Sequence, residues 1–260
     1  MLARDAPHDC VNREAKTPLH EAAWHGSREV VEALLRHGAM VNPTKYNEWT
    51  PLMYACEKGN LEAAKALLEA MSAEERQEAL RARNKEGSSS LYIACRGGET
   101  AIVQLLLDSG ADCNAANNNS RRPAHACAMT GHLDALRALL RAGVELDAAT
   151  VRDSSGSTVW HEAASHGQNE VLALLRDEAG LAIPALDDGH GRDNNRRHAL
   201  HAAARSGFAK TCAVLVDQLA AAGGLPPRGA AEFLNPQDVE GATPLHLAAI
   251  HGHANVLRAL

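Results

Sequence analysis

The feature that most restricts how this chain can fold is a six-residue phrase that returns seven times. It reads Thr17-Pro-Leu-His-Glu-Ala22, Thr50-Pro-Leu-Met-Tyr-Ala55, Ser89-Ser-Leu-Tyr-Ile-Ala94 and Arg122-Pro-Ala-His-Ala-Cys127. It continues as Thr158-Val-Trp-His-Glu-Ala163, His198-Ala-Leu-His-Ala-Ala203 and Thr243-Pro-Leu-His-Leu-Ala248. The starts lie 33, 39, 33, 36, 40 and 45 residues apart, and a glycine stands nine positions after each start, from Gly26 to Gly252. A period of this length marks an architecture of stacked units, none of which buries its apolar face alone.

Each phrase has the chemistry of a short helix. The Thr17 hydroxyl can cap a helix start, and Pro18 suits the first helical position, where an N–H has no partner to lose. Leu19 and the small pair Ala22 and Ala23 then face a neighbour, and Gly26 supplies the left-handed residue that ends the helix. A second helix follows with apolar residues at helical spacing: Val30, Val31, Leu34 and Leu35, then Leu61, Ala63, Ala64, Leu67 and Leu68, then Ile102, Val103, Leu106 and Leu107. Aromatic residues are only 3% of the chain, so the core is built from Ala and Leu between closely spaced helices. Closing phrases such as Gly38-Ala-Met-Val-Asn42 and Gly110-Ala-Asp-Cys-Asn114 lead into extended loops.

The phrase, its spacing and the paired helices resemble the ankyrin repeat family, whose 33-residue unit carries T-P-L-H-x-A, two antiparallel helices and a β-turn. The resemblance runs over essentially the whole chain. It implies an all-α solenoid of stacked helix–turn–helix units with β-turn or hairpin loops, one domain over 1–260. The units lie near 13–45, 46–84, 85–117, 118–153, 154–193, 194–238 and 239–260. Three units depart from the pattern. Ser89 and Ser90 replace Thr-Pro but can still cap, whereas Arg122 and His198 stand where the capping hydroxyl belongs. Each missing cap costs about 1 kcal/mol. Trp160 fills a leucine slot and widens its surroundings.

Ser72-Ala-Glu-Glu75 is a capping box, so an extra turn or two of helix is expected between the second and third units. Gly223-Gly-Leu-Pro-Pro227 followed by Ala230-Ala-Glu-Phe-Leu234 suggests a loop and short helix before the seventh. Both ends read as cut from a longer array, since polar terminal repeats are lacking.

Fourteen histidines invite a catalytic or metal reading. His20, His125, His161, His201 and His246 all occupy the fourth position of the phrase and read as structural. In His20-Glu-Ala-Ala-Trp-His25 and His161-Glu-Ala-Ala-Ser-His166 the outer histidines are five apart, about 140° round a helix, whereas a zinc-protease helix needs four. Gly189-His-Gly191 is a fragment of a dinucleotide motif with neither the strand nor the last glycine. No phosphate-binding loop or nucleophile elbow is found, so no enzyme, metal or cofactor is expected. Six cysteines include no CxxC pair. Cys56, Cys95 and Cys127 read as buried, and Cys113, in a loop, as the more reactive candidate. With no secretory signal and no apolar run of membrane length, a reducing, cytoplasmic or nuclear setting is expected. The net charge of −6 argues against nucleic acid and anionic membranes.

The resemblance implies binding of a partner protein or peptide along a concave side made by loop tips and first helices. By that resemblance the variable contact positions lie before each phrase and before each glycine. The candidates are Trp24, His25, Tyr46, Asn47, Trp49, Glu57, Lys58, Arg96, Arg121, Met129, His166, Arg197 and Arg205, with Lys16, Ser88, Asn118 and Asn194 among further loop positions. Trp24 and Trp49, with Tyr46 close by, read as binding anchors in preference to mutual packing. Arg121 and Arg122, and Arg192, Arg196 and Arg197, suit carboxylate or phosphate, but read first as solvated loop arginines. Two functions stay open: a monomeric non-catalytic scaffold without a small-molecule substrate, or the recognition segment of a larger kinase or ubiquitin ligase. Asn42 and Asn114 sit where ankyrin loops can be hydroxylated.

Overall fold

A computed structural model describes residues 9–43, 48–147, 151–181, 191–221 and 235–260, with side chains to residue 219 in the fourth span. Among them the chain is all-helical. The helices are α1 (Pro18–His25), α2 (Arg28–Arg36), α3 (Pro51–Lys58), α4 (Leu61–Ala70), α5 (Ala73–Arg81), α6 (Ser90–Gly97), α7 (Thr100–Asp108), α8 (Pro123–Thr130), α9 (Leu133–Arg141), α10 (Val159–Ser165), α11 (Asn169–Asp177), α12 (Ala199–Ser206), α13 (Ala209–Ala221), α14 (Pro244–Ile250) and α15 (Ala254–Ala259). Backbone proximity divides the chain into two compact units, 1–123 with 137–143 and 124–136 with 144–260.

Local chemistry sets the helix ends. The backbone N–H of Met53 donates to Thr50 Oγ1 and that of Tyr92 to Ser89 Oγ. Gly26, Gly59, Gly98 and Gly207 end their helices in the left-handed conformation expected of them. In the first unit α1, α3 and α6 form a row of first helices, backed by α2, α4 and α7. In the second, α10, α12 and α14 form such a row, with α11, α13 and α15 behind.

The core follows the expected pattern of small residues between rows. Leu19, Ala23, Leu52, Ala55, Ala94, Val103 and Leu106 are fully buried in the first unit, as are Ala163, Leu172, Ala203 and Leu215 in the second. Trp160 is buried in its leucine slot. Each Ala keeps neighbouring helices near, so a larger side chain there forces them apart.

Two expectations need correction. Val30 is 48% exposed, because it lies with Glu29, Ala33, Leu34 and His37 around an open recess on α2 rather than in the core. Ser88, a candidate contact residue, is buried and gives its N–H to Asn84 Oδ1. The insert after α4 is helical as expected: α5, of 9 residues, is started by Ser72 and Glu75 as a reciprocal capping box. The expected loop and helix at 223–234 lie outside the described residues.

Candidate partner-binding surface

Among the described residues, six loop tips are held by an Asn or Asp five positions before the phrase. Asn12 Oδ1 accepts the N–H groups of Glu14 and Lys16 at 2.9 and 3.0 Å. Asn84, Asn117, Asp153, Asp193 and Asp238 each accept two amides in the same register. Such a side chain replaces backbone partners that a bare turn lacks, so each tip is preorganised. Sequence reading passed over these residues. The signal that finds them is an Asn or Asp at one fixed offset from the phrase.

Neighbouring tips are also tied to each other. Asn118 gives its backbone N–H to Glu86 O (3.1 Å) and its amide to Lys85 O (2.9 Å). Asn194 does the same with Ser155 O (2.9 Å) and Ser154 O (3.0 Å). Both were contact candidates, but their side-chain donors serve the fold.

In the first unit the candidates gather around a residue that was not among them. Tyr54, on α3, is 4% exposed and lies between two half-buried indoles. Trp24 meets it edge-on at 5.4 Å between ring centroids, and Trp49 lies tilted against it at 5.1 Å. The tryptophans therefore each rest on Tyr54. Lys58 Nζ sits 3.8 Å from the Trp24 ring centroid, and Lys16 Nζ lies 5.3 Å from both Trp24 and Tyr54. An ammonium over an aromatic face is attracted by the ring quadrupole, so these rings are fixed in place. Lys16 also pairs with Glu14 (2.9 Å), which raises its pKa, and Glu57 with Arg96 (2.9 Å). His25 is exposed and Arg121 half-buried. Tyr46 and Asn47 lie outside the described residues. Tyr54 was legible only as one of the variable letters of the phrase, where other units carry Glu, Ile, Ala or Leu.

In the second unit a cavity of about 510 Å³ opens between tips and first helices, lined by Ser155, His161, Glu162, Ser165, Arg197 and Arg205 among others. Arg197 donates through Nε to Asp238 Oδ2 at 2.9 Å, and that carboxylate is fully buried. Arg205 is exposed. His166 is exposed and its Nδ1 lies 2.9 Å from Ser165 Oγ and Glu162 O. Met129 is half-buried, its carbonyl accepting from Gln168 Nε2.

Three of the phrase histidines, His20, His161 and His201, are engaged at both ring nitrogens. The N–H of Thr17 donates to His20 Nδ1 (3.1 Å), so the proton of the neutral ring sits on Nε2, which donates to Trp49 O (3.0 Å) in the next repeat. His161 repeats this between Thr158 N and Arg197 O, and His201 between His198 N and Pro236 O. Burial lowers the His161 pKa and pushes His201 down to about 4. His198 makes no side-chain cap bond. Burial, with His201 and Arg192 adding repulsion, pushes it down to about 3. Burial also raises the thiol of Cys56 strongly and that of Cys212 to about 12, which makes both poor nucleophiles. Among the described residues no group of three or more His, Cys, Asp and Glu converges as a metal would require. No described helix is long and apolar enough to cross a membrane.

Known proteins carry the same pattern. The family described as "Ankyrin repeats (3 copies)" matches residues 1–79, 42–117, 73–150, 91–187 and 161–260. A Caenorhabditis elegans homolog of transient receptor potential cation channel subfamily A member 1 is 30% identical over 178 residues, 68% of this chain and 14% of that protein. Tyrosine-protein kinase HTK16 of Hydra vulgaris is 33% identical over 150 residues, 57% of this chain and 19% of the kinase. The probable 26S proteasome regulatory subunit p28 of Saccharomyces cerevisiae is 25% identical over 180 residues, 68% of this chain and 76% of the subunit. The first two are thus matched over less than a fifth of their length. With family matches running from end to end and phrase, caps and paired helices in register, the chain belongs to the ankyrin repeat family.

Proposed function

We propose that this chain is a non-catalytic scaffold that binds a partner protein or peptide through its loop tips and first helices. The family is in general a protein-interaction module. The observation that carries the reading is the Trp24–Tyr54–Trp49 cluster: two half-buried indoles resting on a buried ring, with Lys58 and Lys16 also set against Trp24. Large aromatic groups held in one orientation lose little entropy on binding and commonly supply 2 kcal/mol or more each at an interface. In the first unit His25, Glu57, Lys58, Arg96 and Arg121 complete this surface; Met129, His166, Arg197 and Arg205 serve the second. The protein acts as a monomer in the cytoplasm or nucleus, with no cofactor, small-molecule substrate or nucleic acid partner.

Affinity capture with wild-type, Trp24→Ala and Trp49→Ala baits, read by mass spectrometry, tests this. The expected result is one or more partners retained by wild type and reduced at least tenfold by either variant, with circular dichroism unchanged. Equal capture by all three folded baits would refute the aromatic anchor. A second reading is favoured by the likeness to a tyrosine-protein kinase over 19% of the latter's length. In it, the chain is the recognition segment of a larger enzyme whose chemistry lies elsewhere.

A further inference from the structure

The residue two positions before each phrase is left-handed in all seven units: Ala15, Glu48, Gly87, Ser120, Gly156, Arg196 and Gly241, with φ between +58° and +78°. A side chain carrying Cβ is strained there, and glycine, used by three units, relieves the strain. At Arg196 (φ +59°) the strain is imposed by its neighbours. Asp193 N–H donates to Arg197 O (2.8 Å), Arg196 N–H to Asp193 O (2.9 Å), and Asp193 Oδ1 holds the amides of Asn195 and Arg197. The Arg196 side chain adds nothing to that turn: it is exposed, with no hydrogen bond or ion pair among the described residues. Ala15, Glu48 and Ser120 bear the same strain, so it belongs to the geometry of the tip; what singles out Arg196 is the exposed guanidinium it carries there.

The charges around it are sorted by direction. Asp153, Asp193 and Asp238 turn inward onto backbone amides, and Asp238 also holds Arg197. Arg205 lines the 510 Å³ cavity, and Arg196 is exposed on the tip between two lining residues, Asn195 and Arg197; Ser155 and Ser157 supply further polar groups. Two acids oppose them. The Glu162 side chain is buried to 6% exposure in the cavity wall, and Glu240 is exposed on the next tip. A row whose acids are spent on its own amides presents cations in a chain that is net acidic.

We propose that this tip and cavity of the second unit dock an acidic peptide segment of the partner, with Arg196 and Arg205 gripping its carboxylates. Guanidinium forks match carboxylates bidentately. The site rests on the protein-binding reading above and assigns its partner a charge. It also gives the left-handed arginine a role, and reverses the plainer view of these arginines as solvated loop residues.

Fluorescence anisotropy of a labelled ten-glutamate peptide, with labelled Gly-Ser and phosphoserine peptides alongside, tests it on the whole chain. Wild type binds the glutamate peptide and not the Gly-Ser one, and more weakly as salt rises. Arg196→Gly raises the unfolding midpoint by about 2 °C, through relief of strain, yet weakens the glutamate peptide about tenfold. Ala15→Gly, the control, raises the midpoint similarly and leaves affinity unchanged. Wild-type affinity in Arg196→Gly, no binding of the glutamate peptide by wild type, or binding of the phosphoserine peptide alone would each overturn the proposal. Partner capture through Trp24 and Trp49 is scored on the same variants. Its survival beside a failed peptide assay sinks this site alone, and its absence sinks the scaffold reading.

Discussion

His198 shows what a single substitution in a repeat does. Where Thr17, Thr158 and Thr243 place a hydroxyl 2.8–3.0 Å from the phrase histidine, His198 places a second imidazole, 5.7 Å from His201 between ring centroids. Only the backbone half of the cap survives, the His198 N–H on His201 Nδ1. Both rings, and that of His161, are held neutral, with folded pKa values below the usual 6.5. The unfolded chain then binds more protons than the folded one as pH drops below about 6.5. Stability is therefore complete above that value and declines through about 4 and about 3 as His201 and His198 charge. Urea unfolding between pH 7 and 4 should show the midpoint falling steadily. His198→Thr should flatten that fall and add about 1 kcal/mol at pH 7 by restoring the cap. An unchanged acid slope in His198→Thr would show that the loss resides elsewhere. At this scale the phrase histidines were legible because one position recurs with one chemistry. Tyr54 was not, since its role depends on two indoles from other elements that only folding brings to it.

Helix α6 carries a local fault of a different kind. Its first residue is Ser90, where α1, α3 and α14 have proline, and the buried Ser90 Oγ has no hydrogen-bond partner. Proline fixes the required φ and removes both an unneeded N–H and the orphan hydroxyl. Ser90→Pro should stabilise by about 1 kcal/mol, seen as a higher midpoint in denaturant. A lower midpoint would mean that the pocket around Ser90 does not admit the ring. The loops make the opposite point. Gly87 is left-handed, and a Cβ there would lie 2.6 Å from the Asn118 backbone N. Gly87→Ala thus strains the turn and pushes the neighbouring tip away, and should cost 2 kcal/mol or more, roughly the cost of a strained backbone plus a clash. Element boundaries were largely readable, because caps and terminal glycines are local. The bonds between tips were not, since Asn118 and Asn194 look like ordinary exposed loop residues until the preceding tip arrives beside them.

For the molecule as a whole, the seven units recur with one grammar, and the residues left over from that grammar set one repeat apart from the next. The aromatic cluster and the outward arginines are such residues, in the first and second unit respectively. The channel and kinase relatives contain the matching stretch as a small part of much longer chains, so an array of this kind serves in several larger settings. Stability in such arrays is close to a sum of unit and neighbour terms, so surface exchanges in one unit should leave distant units folded. What the array grips is a property of its tips and first helices in this account. Hydrogen exchange of the chain, with and without a captured partner, tests that most directly. Slowed exchange is predicted in the tips and in α1, α3, α10 and α12, with α2, α4 and α11 unchanged. Protection confined to those second helices, or spread evenly over both rows, would contradict it.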